Sequence, residues 1–468
     1  MYKSNEAQQL LDTVINGGYC IGCGACAVVD GSPFEMKLDE YGLYKPVLNQ
    51  NKVVDPNVKL LSVCPFSDRS LDENEIGNII YPDNIHNAHV GNYIKCFAGY
   101  VNEGGFREKG SSGGLGKWLG YTLLKEGLID CFIQLAPNTE NTSEKALFEY
   151  KVYTKCSDVI QGSKSSYYPS TLVEVLSYVE QNEGRYAITG VPCFIKTLRL
   201  MSQDSAVLKE RITFTIGIVC GGMKSANQAK MIGWQLGVHP DHLKAIDFRR
   251  KHKDRPANFK IYQVWSTRDD VDRFKDDREI IGTDYGAGFF KPKACDFCDD
   301  VVGETADISI GDAWLPDYVN DPKGNCITVI RNKVLLDLVI RHTNMMNLAL
   351  TEVSAEDVIQ SQQGGFRHRR EGLSYRMQKK VRENKWLPKK RVQPGEFKLD
   401  VQRKKIYDFR EKISEKSHIL FLEALKTNNL AVFTMEIEVL MQKYRRLNRG
   451  SITQRIERKV LKILKSLF

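Results

Sequence analysis

No apolar run in the 468 residues approaches the roughly 18–20 that a membrane span needs. The opening segment MYKSNEAQQLLDTVINGG lacks the apolar stretch of a secretory leader. These two absences point to a cytoplasmic protein. No internal repeat is present. A further absence is local: Cys20, Cys23 and Cys26 stand two residues apart in YCIGCGAC, and no cysteine follows nearby to complete a set of four.

What is present is ordinary in bulk and uneven in detail. Hydrophobic residues make up 42% and charged residues 27%, as in soluble globular domains, and the length suits two to four units. Twelve cysteines in a reducing compartment suggest metal or redox chemistry rather than a disulfide framework. The net charge of +9 is concentrated late in the chain. From Phe366 onward there are 28 Lys and Arg against 11 Asp and Glu, while the preceding body is slightly acidic. Such a tail calls for an acidic partner: a membrane surface, a nucleic acid or an acidic protein.

Three cysteines on one tight loop can cap three corners of a four-iron cluster. Gly22 and Gly24 let that loop turn without Cβ clashes. Cys64, followed by Pro65 as cluster ligands often are, is the candidate fourth ligand, reached across an insertion containing FEMKLDEYGLYKP. Structural zinc is the competing reading, although it usually takes paired C-x2-C units rather than a triplet. A second set is less compact. Cys193 and Cys220 each follow an expected strand, and Cys295 and Cys298 form a C-x2-C pair. If the two strands run parallel in one sheet, both cysteines emerge at the carboxyl edge where open α/β sheets bind ligands. From spacing alone, buried core cysteines or half a zinc site are the stronger reading of these four. Cys96, Cys131, Cys156 and Cys326 read as core cysteines.

Elsewhere, strands alternate with helices. RYAITG, ITFTIGIVC, ADISIGDAW and NCITVIRN read as strands, and VPCFIKTLRLM as a turn into a helix. The expected fold is α/β, a mixed α+β arrangement with a largely parallel or mixed sheet. Its parts are a small ferredoxin-like segment over residues 1–90, a region over 91–180, a second over 181–350 and a basic, mostly helical extension over 351–468. The irregular first part reads as held by something other than a large core. KWLPKKRVQPGEF reads as a linker, and SITQRIERKVLKILKSLF as an amphipathic helix, packed on protein or lying on an anionic membrane.

The loop KGSSGGLGK, with Ser111, Ser112, Gly113 and Gly114, is neither a Walker A loop nor a G-x-G-x-x-G fingerprint. It fits G-x-S-x-G, but no strand precedes it and no histidine motif accompanies it, which disfavours a serine hydrolase. Ser112 is the expected N-cap of the following helix, and Gly127 its stop. A loop rich in hydroxyls and amides at a helix N-terminus suits a cofactor's phosphates, or is a solvated turn. Ser163, Lys164 and Tyr167 in QGSKSSYYPS could complete a site for a planar anionic cofactor. Asp312 is either a proton donor at the sheet edge or a structural aspartate in a turn.

Taken in order, the first cysteine set, SSGGLGKWLGYTLLKEGLID, GSKSSYYPS, ITGVPCFIKTLR, IGIVCGG, KPKACDFC and ADISIGDAW resemble the family formed by the β-subunits of coenzyme F420-reducing hydrogenases and formate dehydrogenases. That family includes iron–sulfur flavoenzymes such as hydroxymethyl chlorophyll(ide) reductase. The resemblance covers about residues 15–345. It implies FAD near Ser111–Gly114 and Ser163–Tyr167, and a second 4Fe-4S cluster on Cys193, Cys220, Cys295 and Cys298. It also implies a ferredoxin-type donor or coenzyme F420, and a small organic acceptor. Many bacterial relatives resemble stand-alone members linked to capsule or exopolysaccharide synthesis, which would make the acceptor sugar-derived. A zinc-stabilised scaffold protein with a basic tail is the reading from another class. No specific nucleic-acid partner is expected.

Overall fold

Tyr186 and Ile188 pack into one cluster of buried side chains, while Ala187 between them joins another on the opposite side. Cys131 and Ile133 are divided from Phe132 in the same way. This period-two alternation places apolar side chains on both faces of one sheet. The computed structural model describes residues 6–52, 55–138, 146–162 and 164–449.

Eight strands form the central sheet: β1 Lys95–Val101, β2 Cys131–Pro137, β3 Phe148–Tyr153, β4 Tyr186–Gly190, β5 Ile212–Ile218, β6 Ile308–Asp312, β7 Cys326–Ile330 and β8 Leu348–Val353. Their spatial order is β8-β1-β7-β6-β5-β4-β2-β3. The central run β6-β5-β4-β2 is parallel, and the flanking pairs are antiparallel. The fold is therefore α/β with a mixed sheet, as the alternation of strands and helices implies.

Helix α1, Leu115–Lys125, covers one face through Trp118, Leu119 and Leu123. Its N-cap is Gly114 at φ +88°, not the expected Ser112. The Ser112 hydroxyl is spent elsewhere, donating to the Asn325 carbonyl at 2.6 Å. A Cβ at position 114 would lie 2.6 Å from the Phe106 backbone, so the tight loop requires glycine there. Gly127, at φ +66°, follows the last turn as expected. Helix α2, Pro192–Asp204, covers the other face. Its Phe194, Ile195 and Leu198 share a cluster with Leu10, Phe34, Leu60 and Phe66 of the opening segment. The N-terminal residues thus bury their apolar side chains against the sheet layer.

The later part of the chain is mainly helical: α3 Gln363–Arg369, α4 Glu371–Arg382, α5 Val401–Thr427 and α6 Ala431–Arg449. Helices α5 and α6 form a hairpin turned at Asn428, which adopts φ +48°. The hairpin docks through Phe421 and Phe433, whose rings lie 5.7 and 5.6 Å from that of Phe290. Among the described residues no helix is long and apolar enough to cross a membrane. The amphipathic stripe over 451–468 lies outside the described residues.

The segment read as a linker is irregular but anchored. Trp386 packs on Tyr19 at 5.5 Å, Lys390 and Val392 are buried, and Arg391 is half-buried. Arg391 reaches Glu304 at 2.5 Å, Asp299 at 3.3 Å and Glu73 at 3.5 Å. Lys390 lies 3.7 Å from Asp299, and Lys196 lies 3.2 Å from Glu73. These carboxylates are almost wholly buried and need cations beside them. Part of the acidic partner demanded by the basic tail is thus the body of the same chain. Arg391→Ala leaves Glu73, Asp299 and Glu304 short of positive charge. It is expected to lower stability by about 3–5 kcal/mol in chemical denaturation.

Candidate functional site

The loop holding Cys20, Cys23 and Cys26 turns through Gly22 at φ +79° and Gly24 at φ +90°. A Cβ at position 24 would meet the Thr171 hydroxyl at 2.3 Å, and one at position 22 the Tyr44 carbonyl at 2.8 Å. The loop is held from outside. Lys45 Nζ donates to the Cys20 carbonyl at 2.9 Å, and the Leu172 amide to that of Cys23 at 2.9 Å. Cys64 comes to the same place: its thiol feels the charges of Cys20 and Cys23, and that of Cys26 feels all three others. Burial pushes Cys23 up to about 11 and Cys26 well above the ordinary thiol range, and their like neighbours add to the rise.

The second set converges as well. Strands β4 and β5 are adjacent and parallel, so their carboxyl ends open at one edge. Cys193 sits in the first turn of α2, directly after β4, and Cys220 lies two residues past β5. Cys295 lies in the short turn Lys293–Phe297, and Cys298 follows it. All four line one small cavity, together with Ile21 and Arg369. The Met223 amide donates to Cys295 Sγ at 3.4 Å. Burial, reinforced by the neighbouring thiols, pushes Cys295 up to about 12 and Cys193 well above the ordinary range.

The donor chemistry of both sets fits a four-iron cluster. Each brings four soft sulfur ligands, and buried thiols of this kind ionise when a cationic centre supplies the compensating charge. A single zinc needs its donors about 2.0–2.3 Å from one point. Among the described residues no three His, Cys, Asp or Glu side chains converge in that manner. The two sets are neighbours. Ile21, between Cys20 and Cys23, forms part of the wall of the second cavity, as does Phe66, two residues after Cys64. Cys193 and Cys23 are within electrostatic reach of each other.

The glycine-rich loop meets the QGSKSSYYPS loop: the Ser165 amide donates to Ser111 Oγ at 2.6 Å. Ser111, Ser112, Lys164 and Tyr167 are half-buried and Gly113 and Gly114 are buried, which is not the environment of a solvated turn. Ser163 lies outside the described residues. Cations crowd the junction. Lys164 pairs with Asp247 at 2.7 Å, while Lys251 Nζ donates to the carbonyls of Arg107, Ser112 and Lys323. Lys117 donates to the carbonyls of Lys109 and Ile160. Burial and nearby cations push Lys117 and Lys251 down to about 8. The place is short of negative charge, which suits an anionic ligand. The amides of Gly113 and Leu115 are directed at the Cys326 sulfur, so the loop's backbone is partly committed within the protein.

Asp312 ends β6 and is clamped by Arg249 at 3.0 and 3.1 Å. Burial would raise its carboxyl, but Arg249 overcomes that and holds it below the usual range. It is an ion-pair partner at the end of a strand, and not a residue of a turn. Arg249 also donates to Tyr167 Oη at 3.3 Å. Of the four cysteines read as core residues, Cys96, Cys131 and Cys326 are buried, while Cys156 is only half-buried. Sequence reasoning missed Arg249, Arg369 and Tyr285. Tyr285 packs between the second set and Tyr167: its ring lies 5.7 Å from that of Tyr167, and its hydroxyl donates to the Gly222 carbonyl at 3.1 Å.

Comparison with known proteins gives concordant matches. Residues 96–177 match the family model for the N-terminal part of the coenzyme F420 hydrogenase/dehydrogenase beta subunit. Residues 183–356 match the model for the C-terminal part of the same beta subunit. A subunit of the F(420)H(2) dehydrogenase of Methanosarcina mazei is 24% identical over 324 residues, covering 66% of this chain and 79% of that protein. A chain of the F420-reducing NiFe hydrogenase complex from Methanosarcina barkeri aligns at 19% identity with a TM-score of 0.47, over 65% of this chain and 98% of that one.

The loop geometry makes one direct prediction. Gly24→Ala forces a side chain into left-handed backbone, at a cost of about 1–2 kcal/mol before the contact with Thr171 is counted. Chemical denaturation should show at least that loss.

Proposed function

Because the chain belongs to the family of coenzyme F420 hydrogenase/dehydrogenase beta subunits, we propose that it is an iron–sulfur flavoprotein oxidoreductase. In this reading Cys20, Cys23, Cys26 and Cys64 hold one 4Fe-4S cluster, and Cys193, Cys220, Cys295 and Cys298 hold a second. FAD lies against Ser111–Gly114 and Ser163–Tyr167. When bound, the clusters supply one-electron steps and the flavin couples them to a two-electron exchange.

The observation that carries the reading is the shared wall. Ile21 belongs to the first cysteine loop and also lines the second cavity, so the two sets stand in series. Tyr285 and Tyr167 extend that series toward the cation-rich junction. There Lys164, Lys251 and Lys117 provide the positive charge that a diphosphate requires. The Ser111 and Ser112 hydroxyls and the three lysines all hold protein partners, so the ligand would exchange some of these contacts for its own. Arg249, paired with Asp312, keeps Tyr167 oriented at the same place.

A ferredoxin-type protein or coenzyme F420 supplies electrons in this scheme, and a small organic molecule accepts them. The resemblance to stand-alone bacterial members favours a sugar-derived acceptor.

Anaerobically purified protein is expected to carry about eight iron atoms per chain, four for each cluster. Cys64→Ser and Cys298→Ser should each remove about half of them, measured by iron and sulfide analysis. Brown protein that keeps all its iron in either variant would overturn the ligand assignment. Lys164→Glu should release the flavin while leaving the iron content unchanged, read by chromatography of the extracted cofactor. Full flavin retention would place the cofactor elsewhere.

A further inference from the structure

Arg369 ends α3 and is 2% exposed. Its Nε and Nη1 atoms have no hydrogen-bond partner. Neighbouring arginines hold protein partners, although the Arg370 Nε has none. Arg370 reaches Glu304, Arg376 donates to the carbonyls of Asp296 and His368, and Arg391 reaches three carboxylates. Among the described residues no carboxylate pairs with Arg369. Its electrostatic partners are the sulfurs of Cys298, Cys220 and Cys295, and its side chain forms part of the wall of their cavity.

Burying a guanidinium with unpaired N–H groups costs several kcal/mol unless a counter-charge stands beside it. Four thiolates around a 4Fe-4S core leave the centre net negative, and its sulfurs accept hydrogen bonds. The free N–H groups and the missing counter-charge of Arg369 therefore complement the centre that the four cysteines are read as holding, and this complementarity rests on that reading.

We propose that Arg369 is a positioning residue for the second cluster: its free N–H groups donate to the cluster's sulfurs, and its charge raises the cluster's reduction potential. Positive charge and N–H···S bonds stabilise the reduced, more negative state. The first set has a cation of its own in Lys45, whose Nζ donates to the Cys20 carbonyl at 2.9 Å. The cation near Cys64 is Lys390, and it is compensated by Asp299 at 3.7 Å. Arg369 lies beyond residue 356, where the family match ends. The C-terminal extension thus supplies part of the redox site.

The test is an anaerobic redox titration of the loaded full-length protein, followed by electron paramagnetic resonance, with resonance Raman spectra of the iron–sulfur stretches. In Arg369→Gln the midpoint of the second cluster should fall, and that of the first should stay in place. Arg369→Lys keeps the charge but loses the planar fork of donors, so its midpoint should lie between, with shifted iron–sulfur bands. If Arg369→Gln does not retain the second cluster, the midpoint and bands of Arg369→Lys decide. Either variant with full iron, a wild-type midpoint and wild-type bands would overturn the proposal. Wild-type protein with iron for a single cluster would instead overturn the reading of the second cysteine set, and the role of Arg369 with it. Iron analysis separates that outcome from the first.

Discussion

Arg391 joins three carboxylates from distant parts of the chain. Glu73 follows the Cys64 loop, Asp299 is adjacent to Cys298, and Glu304 leads into β6. One guanidinium, with Lys390 beside it, offsets a local excess of buried negative charge that would otherwise drive these segments apart. Both cysteine sets lie next to this network. The segment Lys389–Val392 crosses from Ser67, through Lys390 over the Phe66 ring, to Asp299. The spacing between the two sets is consequently held by an electrostatic clasp from the C-terminal region, in addition to the sheet.

The sheet contributes direction. Parallel β4 and β5 deliver Cys193 and Cys220 to one edge, and the turn at Lys293–Phe297 brings the C-x2-C pair against it. The cation-rich junction takes its residues from α1's leading loop and from Lys164, Arg249 and Lys251. Between them stands Tyr285, packed tightly enough that a Cβ on Gly221 would lie 2.5 Å from its ring.

Much of this was legible because it depends on short-range chemistry. The triplet at Cys20, Cys23 and Cys26 declares itself by spacing, and Gly22 and Gly24 by the turns that the spacing needs. Cys193 and Cys220 could be paired because strands of a βαβ unit run parallel, so two cysteines after two strands share an edge. Arg369 could not be found in this way. Within FRHRR it looks like one more solvated cation, and only the packing of α3 against Val301 buries it. The N-cap was misplaced because Ser112 had a better acceptor 213 residues away, at Asn325. KWLPKKRVQPGEF resembles a linker by composition, since neither propensity nor pattern records that carboxylates at Asp299 and Glu304 lie waiting for its cations.

The late position of the clasp in the chain has a consequence for biogenesis. The cysteines of both sets leave the ribosome before Arg369, Lys390 and Arg391 do. During synthesis, then, the sulfurs can gather while the lid that will enclose them does not yet exist. If the two sets hold clusters as proposed, metal delivery has an interval of open access before the final hundred or so residues are made. A cell that fails to supply iron in that interval would close the chain over vacant ligands, and the same salt-linked clasp that protects a finished centre would then slow its repair.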